Sequence, residues 1–345
     1  MLGQYLRVSG GVMSPNRGRP ELSLGGCLLW DRVDEIMGRA QSVDALRAHG
    51  VGLLAARAWR AQGREVPSRL RADERDAANA ATAAPLLLGH ARAAYDGRLV
   101  LIRGPEVAAY YPDPALRPFK DLDLLVDDPD AAQAALLAHG FVEVGGSAPY
   151  GRIDHLGALA WPGLPLAIEL HRELNEAPWL QSRGAAELLA RTQPSATGVA
   201  GVLAPVPAVH ALLLAVHGWG REPLRRLLDL IDVAAVLAKA DYRLADEVAR
   251  RWGQERLWRT TIAAVDAVLR GGGHHAALAL WSRHLASARE RTVLETRLAR
   301  WAGPVCSLPR KDALRAATVG FATAAHRDAS RPEPAARRPR LDSRR

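Results

Sequence analysis

The sequence predicts an α+β fold: a mixed β-sheet core with helices, flanked by N- and C-terminal helical regions. Three observations predict it. Apolar residues recur near helical spacing from Trp30 to about Tyr95, short apolar runs with two-residue alternation cluster between Arg98 and His171, and the pattern turns helical again from Pro207 nearly to Arg327. The organisation expected is a poorly ordered lead-in over 1–27, a helical region over 28–96, the core over 97–200, a second helical region over 201–328 and a disordered basic tail over 329–345. The chain shows no internal repeat.

The elements follow in order. Leu46, Leu53, Leu54 and Trp59 mark helices, broken at Gly50 and Gly63. Pro85 to Tyr95 reads as a further helix stopped by Asp96-Gly97. Arg98 to Ile102 is a short strand, Arg103-Gly104 a turn, and a helix follows through Val107 and Tyr110. Pro112, Pro114 and Pro118 constrain the next loop, after which Asp121 to Val126 reads as a buried strand. Pro129 starts a helix that Gly140 stops, and Phe141 to Val144 is a strand. His155 to Trp161 and Leu166 to His171 form a hairpin around a Pro-Gly turn. Beyond Pro207, helices break at Gly218 to Pro223, Gly271 to Gly273 and Gly303-Pro304.

Composition narrows the function classes. Cys27 and Cys306 stand far apart without zinc-ligand spacing, which excludes a disulfide framework and a structural zinc site and points to the cytoplasm. No apolar run is long enough for a bilayer and no leader pattern is present, so no membrane role is expected. The charge of +9 invites nucleic acid, yet the chain holds 46 basic residues of which only Lys120, Lys239 and Lys311 are lysines, a composition that follows coding bias as readily as phosphate contacts. The tail from Ala329 carries six arginines against Glu333 and Asp342 and reads as a solubilising extension.

The chemistry gathers in two alternating segments. In Asp121-Leu122-Asp123-Leu124-Leu125-Val126, both carboxylates leave one face of the strand while Leu122, Leu124 and Val126 leave the other. Two carboxylates so close beside an apolar layer are costly unless a cation or hydrogen bonds compensate, which a magnesium site supplies. The same alternation in Leu166 to His171 sets Glu169 and His171 opposite Leu166, Ile168 and Leu170, so a neighbouring placement of the strands makes Glu169 a third carboxylate. Three carboxylates suit a two-metal displacement at phosphorus. Gly104 allows close approach of phosphate at a helix N-terminus, with Arg103, Arg117 and Lys120 adding charge, although Pro105 removes one N–H. Each feature alone is common on strand ends and turns; their order and spacing together carry the reading.

Those segments resemble a known family, the bacterial nucleotidyltransferases of the DNA polymerase beta superfamily. The resemblance runs through Leu101-Ile102-Arg103-Gly104, Tyr111-Pro112, Arg117-Pro118, Asp121 to Val126, Gly140-Phe141 and Ile168-Glu169-Leu170-His171. It continues into His210, His217-Gly218 and Leu227 to Asp232, covering roughly Trp30 to Trp301. It implies a nucleotidyltransferase-type sheet, Mg2+ or Mn2+ on Asp121, Asp123 and Glu169, and phosphate contacts from Arg103, Gly104, Arg117 and Lys120. The implied reaction moves a nucleoside monophosphate from a nucleoside triphosphate to an acceptor, which sequence leaves open among small molecules, peptides, proteins and RNA. Arg103 stands where the family usually has lysine, and Pro105 where the superfamily often has Gly or Ser. These departures keep a noncatalytic binding or scaffold role as the alternative, with an RNA-directed transferase third.

Other polar residues read as structural. His210 and His217 share a face of a leucine-rich helix, Asp229 and Asp232 are expected to pair with Arg225 or Arg226, and Trp252, Trp258 and Trp281 are expected to anchor helices. His274-His275 after the glycine run makes a poor metal site.

Overall fold

In the computed structural model, the structure describes residues 26–144, 156–171, 185–221, 223–270, 282–307 and 313. Residues 1–25 of the lead-in, the tail, Trp281 and the Gly271 to His275 run lie outside them. Four helices open the described chain: α1 (Gly26–Arg39), α2 (Val43–Ala48), α3 (Gly52–Ala61) and α4 (Ser68–Ala94). Ser42 caps α2 by accepting from the Ala45 amide at 3.2 Å, so the break before it is set locally. α4 runs through Pro85 rather than restarting there. A proline inside a helix costs about 3 kcal/mol, and burial of Ala80, Ala83, Ala84, Leu87, Leu88 and Ala91 in one apolar layer opposes it.

The middle of the chain alternates strands and short helices. β1 (Leu99–Leu101) leads into the single-turn α5 (Pro105–Ala108), then a 3₁₀ turn (Pro114–Leu116), β2 (Asp121–Val126) and α6 (Pro129–His139). Asp128 caps α6 through the Ala131 amide, Pro129 fills its first turn, and Gly140 ends it in the left-handed region at φ +115°. β3 (Val142–Glu143), β4 (Leu159–Ala160), β5 (Ala167–His171), α7 (Ala185–Ala190), β6 (Thr192–Pro194) and β7 (Val202–Pro205) follow. The expected hairpin is present as antiparallel β4 and β5, with Leu159 opposite Ile168.

Among the described residues seven strands form one sheet in the order β3-β4-β5-β2-β1-β7-β6. β2 pairs with β5, and β1 with β7, in parallel; the remaining pairs are antiparallel. The sheet is therefore mixed, and the chain is α+β. Sequence reading did not find β6 and β7, whose strands are short and joined by a turn through Gly198 and Gly201.

Helices follow in the rest of the described residues: α8 (Pro207–Arg221), α9 (Leu227–Leu237), α10 (Tyr242–Arg251), α11 (Glu255–Val265) extended by a π turn (Asp266–Arg270), α12 (Arg283–Ala286) and α13 (Val293–Ser307). The break expected at Gly218 to Pro223 falls at its far end, since α8 runs to Arg221, whereas the one expected at Gly303-Pro304 is absent, since α13 runs to Ser307. At Gly303 a Cβ would lie 2.7 Å from the Pro223 ring, so the glycine serves close packing rather than a break.

Alternation along the strands builds two cores. Leu99, Leu101, Leu122, Leu124, Val126, Ile168 and Leu170 form one layer with the apolar faces of α4 and α6. Val100, Ile102 and Leu125 face the opposite way, into the larger core made by α1, α3, α8, α9 and α11. The polar residues of β2 and β5 thus share the face that looks toward the C-terminal helices.

Candidate active site

Parallel pairing of β2 with β5 decides the geometry. Its register puts Asp121 opposite Ala167, Asp123 opposite Glu169 and Leu125 opposite His171. Asp123 is 2% exposed. The His171 Nε2–H donates to Asp123 Oδ1 at 2.9 Å, and Arg103 Nη1 stands 3.4 Å from Asp123 Oδ2. Burial opposes ionisation of Asp123, but the Arg103 charge, the His171 hydrogen bond and His217 farther along α8 outweigh it and hold the carboxyl well below the usual range.

Asp123, Glu169 and His171 each offer a ligand atom, and the three atoms lie within 4.8 Å of one another. Opposite ligands of one magnesium ion, each bonded at about 2.1 Å, are about 4.2 Å apart. The donors therefore stand close to the span of one coordination shell, and two carboxylates with an imidazole suit a divalent cation. Asp121 lies one pleat earlier on the same face, half-buried at the strand's start, and is not part of that convergence. The third converging donor is His171, a residue whose signal was its place two positions after Glu169.

Gly104 takes φ +66°, where a Cβ would meet the Asp121 carbonyl oxygen at 3.3 Å. That approach lets the end of β1 fold over the start of β2. The expected helix N-terminus is weaker than the sequence reading had it, because α5 is one turn long. A single turn carries little aligned dipole. Lys120 is exposed immediately before β2.

Arg117, expected on phosphate, is corrected by the structure. It is 3% exposed and gives Nε and Nη2 to the two oxygens of Asp232 at 2.9 and 2.8 Å, with Nη1 on the Gly104 carbonyl at 3.2 Å. Tyr111 donates to Asp232 Oδ1 at 2.6 Å. Asp232 therefore pairs with Arg117 and not with Arg225 or Arg226, whereas Asp229 meets Arg226 at 2.9 Å. No local spacing announces a pair separated by 115 residues.

Of the two α8 histidines, His210 is structural. It is fully buried, donates Nε2–H to the Ile102 carbonyl at 2.9 Å, and burial pushes its pKa down to about 4. Trp252 and Trp258 are buried among the helices as expected.

A mixed sheet with a buried Asp, a half-buried Glu and an imidazole at adjoining strands defines an α+β protein with a candidate divalent-cation centre. The model of a family described as "Uncharacterised nucleotidyltransferase" matches residues 40–270, and the chain belongs to that family. Nucleotidyl transfer is thereby supported as the general activity class and a nucleotide as the substrate class. No curated protein and no solved structure matches the chain. No helix among the described residues is long and apolar enough to cross a membrane.

Proposed function

We propose that the chain is a metal-dependent nucleotidyltransferase that moves a nucleoside monophosphate from a nucleoside triphosphate to an acceptor. The observation that carries this reading is the pairing of Asp123 with Glu169 across adjacent parallel strands, with His171 converging, in a member of a nucleotidyltransferase family. Asp123, Glu169 and His171 would hold Mg2+ or Mn2+, and Asp121 would complete the set from the open end of the strand. Bound there, the cation would supply charge neutralisation at the triphosphate and acidify the attacking group. The protein's part is positional: the β2 and β5 register holds the carboxylates, Gly104 lets the backbone approach, and Arg103 and Lys120 offer positive charge to phosphate oxygens. The cytoplasm is the proposed location.

Thermal unfolding against each of the four ribonucleoside triphosphates, with and without magnesium, tests the reading. A magnesium-dependent rise for one triphosphate, lost in Asp121→Asn/Asp123→Asn, supports it and names the donor. No rise in any condition, with folded protein, rejects it.

Arg103 favours a second reading. Its guanidinium already stands on Asp123 at 3.4 Å and supplies the compensating charge that a metal otherwise would. On that reading the chain is a noncatalytic binding or scaffold protein, and Arg103→Lys restores metal-dependent nucleotide binding that the wild type lacks.

A further inference from the structure

A cavity lies beside α5, β6 and α1. It is an open cleft of about 550 Å³, within the range of small-molecule sites. Trp30, Tyr110 and Tyr111 give it aromatic lining, and Glu106, Gln193 and Lys239 give it polar groups. Glu106 is 1% exposed and structurally held, because its Oε2 accepts from Ser195 Oγ at 2.7 Å and from the Ala196 amide at 2.9 Å. Its Oε1 has no hydrogen-bond partner among the described residues. A carboxylate buried to that degree ordinarily uses both oxygens. Burial also raises its pKa, opposed by those two hydrogen bonds.

The neighbouring polar groups are in the same condition. The Tyr110 hydroxyl makes no hydrogen bond among the described residues, yet the Glu106 charge reaches it and, after burial, helps push its pKa up to about 12. The Gln193 amide and the exposed Lys239 ammonium have no partner among the described residues either. Tyr111 differs, since its hydroxyl is committed to Asp232 and its ring, 4.9 Å from that of Trp30, is what it shows the cavity. Acceptor oxygens, a cation and aromatic faces around one cavity match one ligand chemistry: an ammonium group, a flat apolar body and an anionic group.

We infer that this cavity is a binding site for a small aromatic amino acid, its ammonium on Glu106 and the Tyr110 hydroxyl, its ring against Trp30 and Tyr111, and its carboxylate toward Lys239. The assignment stands on the cavity alone and does not require the Asp123 centre to be catalytic.

The test is calorimetric titration of the full chain, without nucleotide or metal, using L-phenylalanine, L-tyrosine, L-tryptophan, phenethylamine and 3-phenylpropanoate. At least one amino acid binds, phenethylamine binds more weakly, and 3-phenylpropanoate does not bind. Lys239→Ala, a change at an exposed position, weakens the amino acid about two- to fivefold and leaves phenethylamine unchanged. Glu106→Gln weakens both about tenfold or more. Tyr110→Phe, which leaves the Glu106 hydrogen bonds intact, weakens both and guards against a folding defect in Glu106→Gln. Absence of heat for every amine at millimolar concentration, or equal binding by wild type, Lys239→Ala and Tyr110→Phe, overturns the assignment. Asp123→Asn keeps the binding, so failure of the proposed transfer reaction and failure of this site are told apart.

Discussion

Asp232→Ala is expected to be among the most destabilising single changes in the chain. Asp232 accepts two hydrogen bonds from Arg117 and one from Tyr111, all at 2.6 to 2.9 Å, and both partners are buried. Burial works against the Arg117 charge, and the Asp232 carboxylate more than offsets it. Truncation leaves a guanidinium 3% exposed with no direct counterion, a situation that costs about 3–5 kcal/mol. The orphaned Tyr111 hydroxyl adds about 1 kcal/mol, and the nearby half-buried Asp229 returns part of the loss through its charge. The expected net is therefore about 4 kcal/mol. Urea unfolding followed by tryptophan fluorescence reads it, since Trp219 and Trp258 are buried in the same helical core. The double variant Arg117→Met/Asp232→Leu removes both charges and should lie within about 2 kcal/mol of wild type. A cost below about 1 kcal/mol for Asp232→Ala, or a double variant no more stable than the single one, refutes the claim that this pair is a buried, mutually dependent unit.

Three further outcomes are expected. Glu169→Gln should remove magnesium-dependent nucleotide stabilisation while the far-ultraviolet circular dichroism spectrum stays unchanged; retained stabilisation would put the metal elsewhere. Gly104→Ala should cost about 1–2 kcal/mol, because φ +66° disfavours a side chain and the new methyl meets the Asp121 carbonyl oxygen at 3.3 Å; an unchanged melting temperature would contradict that strain. His210 carries a pH dependence. Its folded pKa, near 4, lies below the usual 6.5, so the unfolded chain binds more protons between those values and stability falls as pH drops from about 6.5 to 4. The loss amounts to about 3 kcal/mol at most, and His210→Gln should flatten this part of the stability curve measured in urea; an equal slope would assign the acid sensitivity to other groups such as His284.

Much of the site was legible before the fold because strands alternate. The spacing Asp121-Leu122-Asp123 already separates an acidic face from an apolar one, and the structure puts Leu122, Leu124 and Val126 in one core and Leu125 in the other, as a period of two requires. Helix stops written in backbone chemistry were equally plain, as at Asp128-Pro129 and Gly140. Where a local signal competed with packing it misled. Pro85 and Gly303 read as breaks, yet both sit inside continuous helices, since apolar burial along α4 and close contact with Pro223 outweigh local preference. Strands β6 and β7 were missed because four residues or fewer carry almost no periodicity.

From the amino-acid order alone came the α+β class and the polar faces of β2 and β5, both of which depend on near neighbours in the chain. Which residues meet depended on pairings between distant segments. The register that sets Asp123 against Glu169, the choice of His171 as the third converging donor, the withdrawal of Arg117 into Asp232 and the meeting of Glu106 with Trp30 and Lys239 were all decided by tertiary structure. The physical reason is that side-chain direction repeats within a strand or helix, whereas the partner across a sheet or a core is selected by burial and charge compensation over the whole fold.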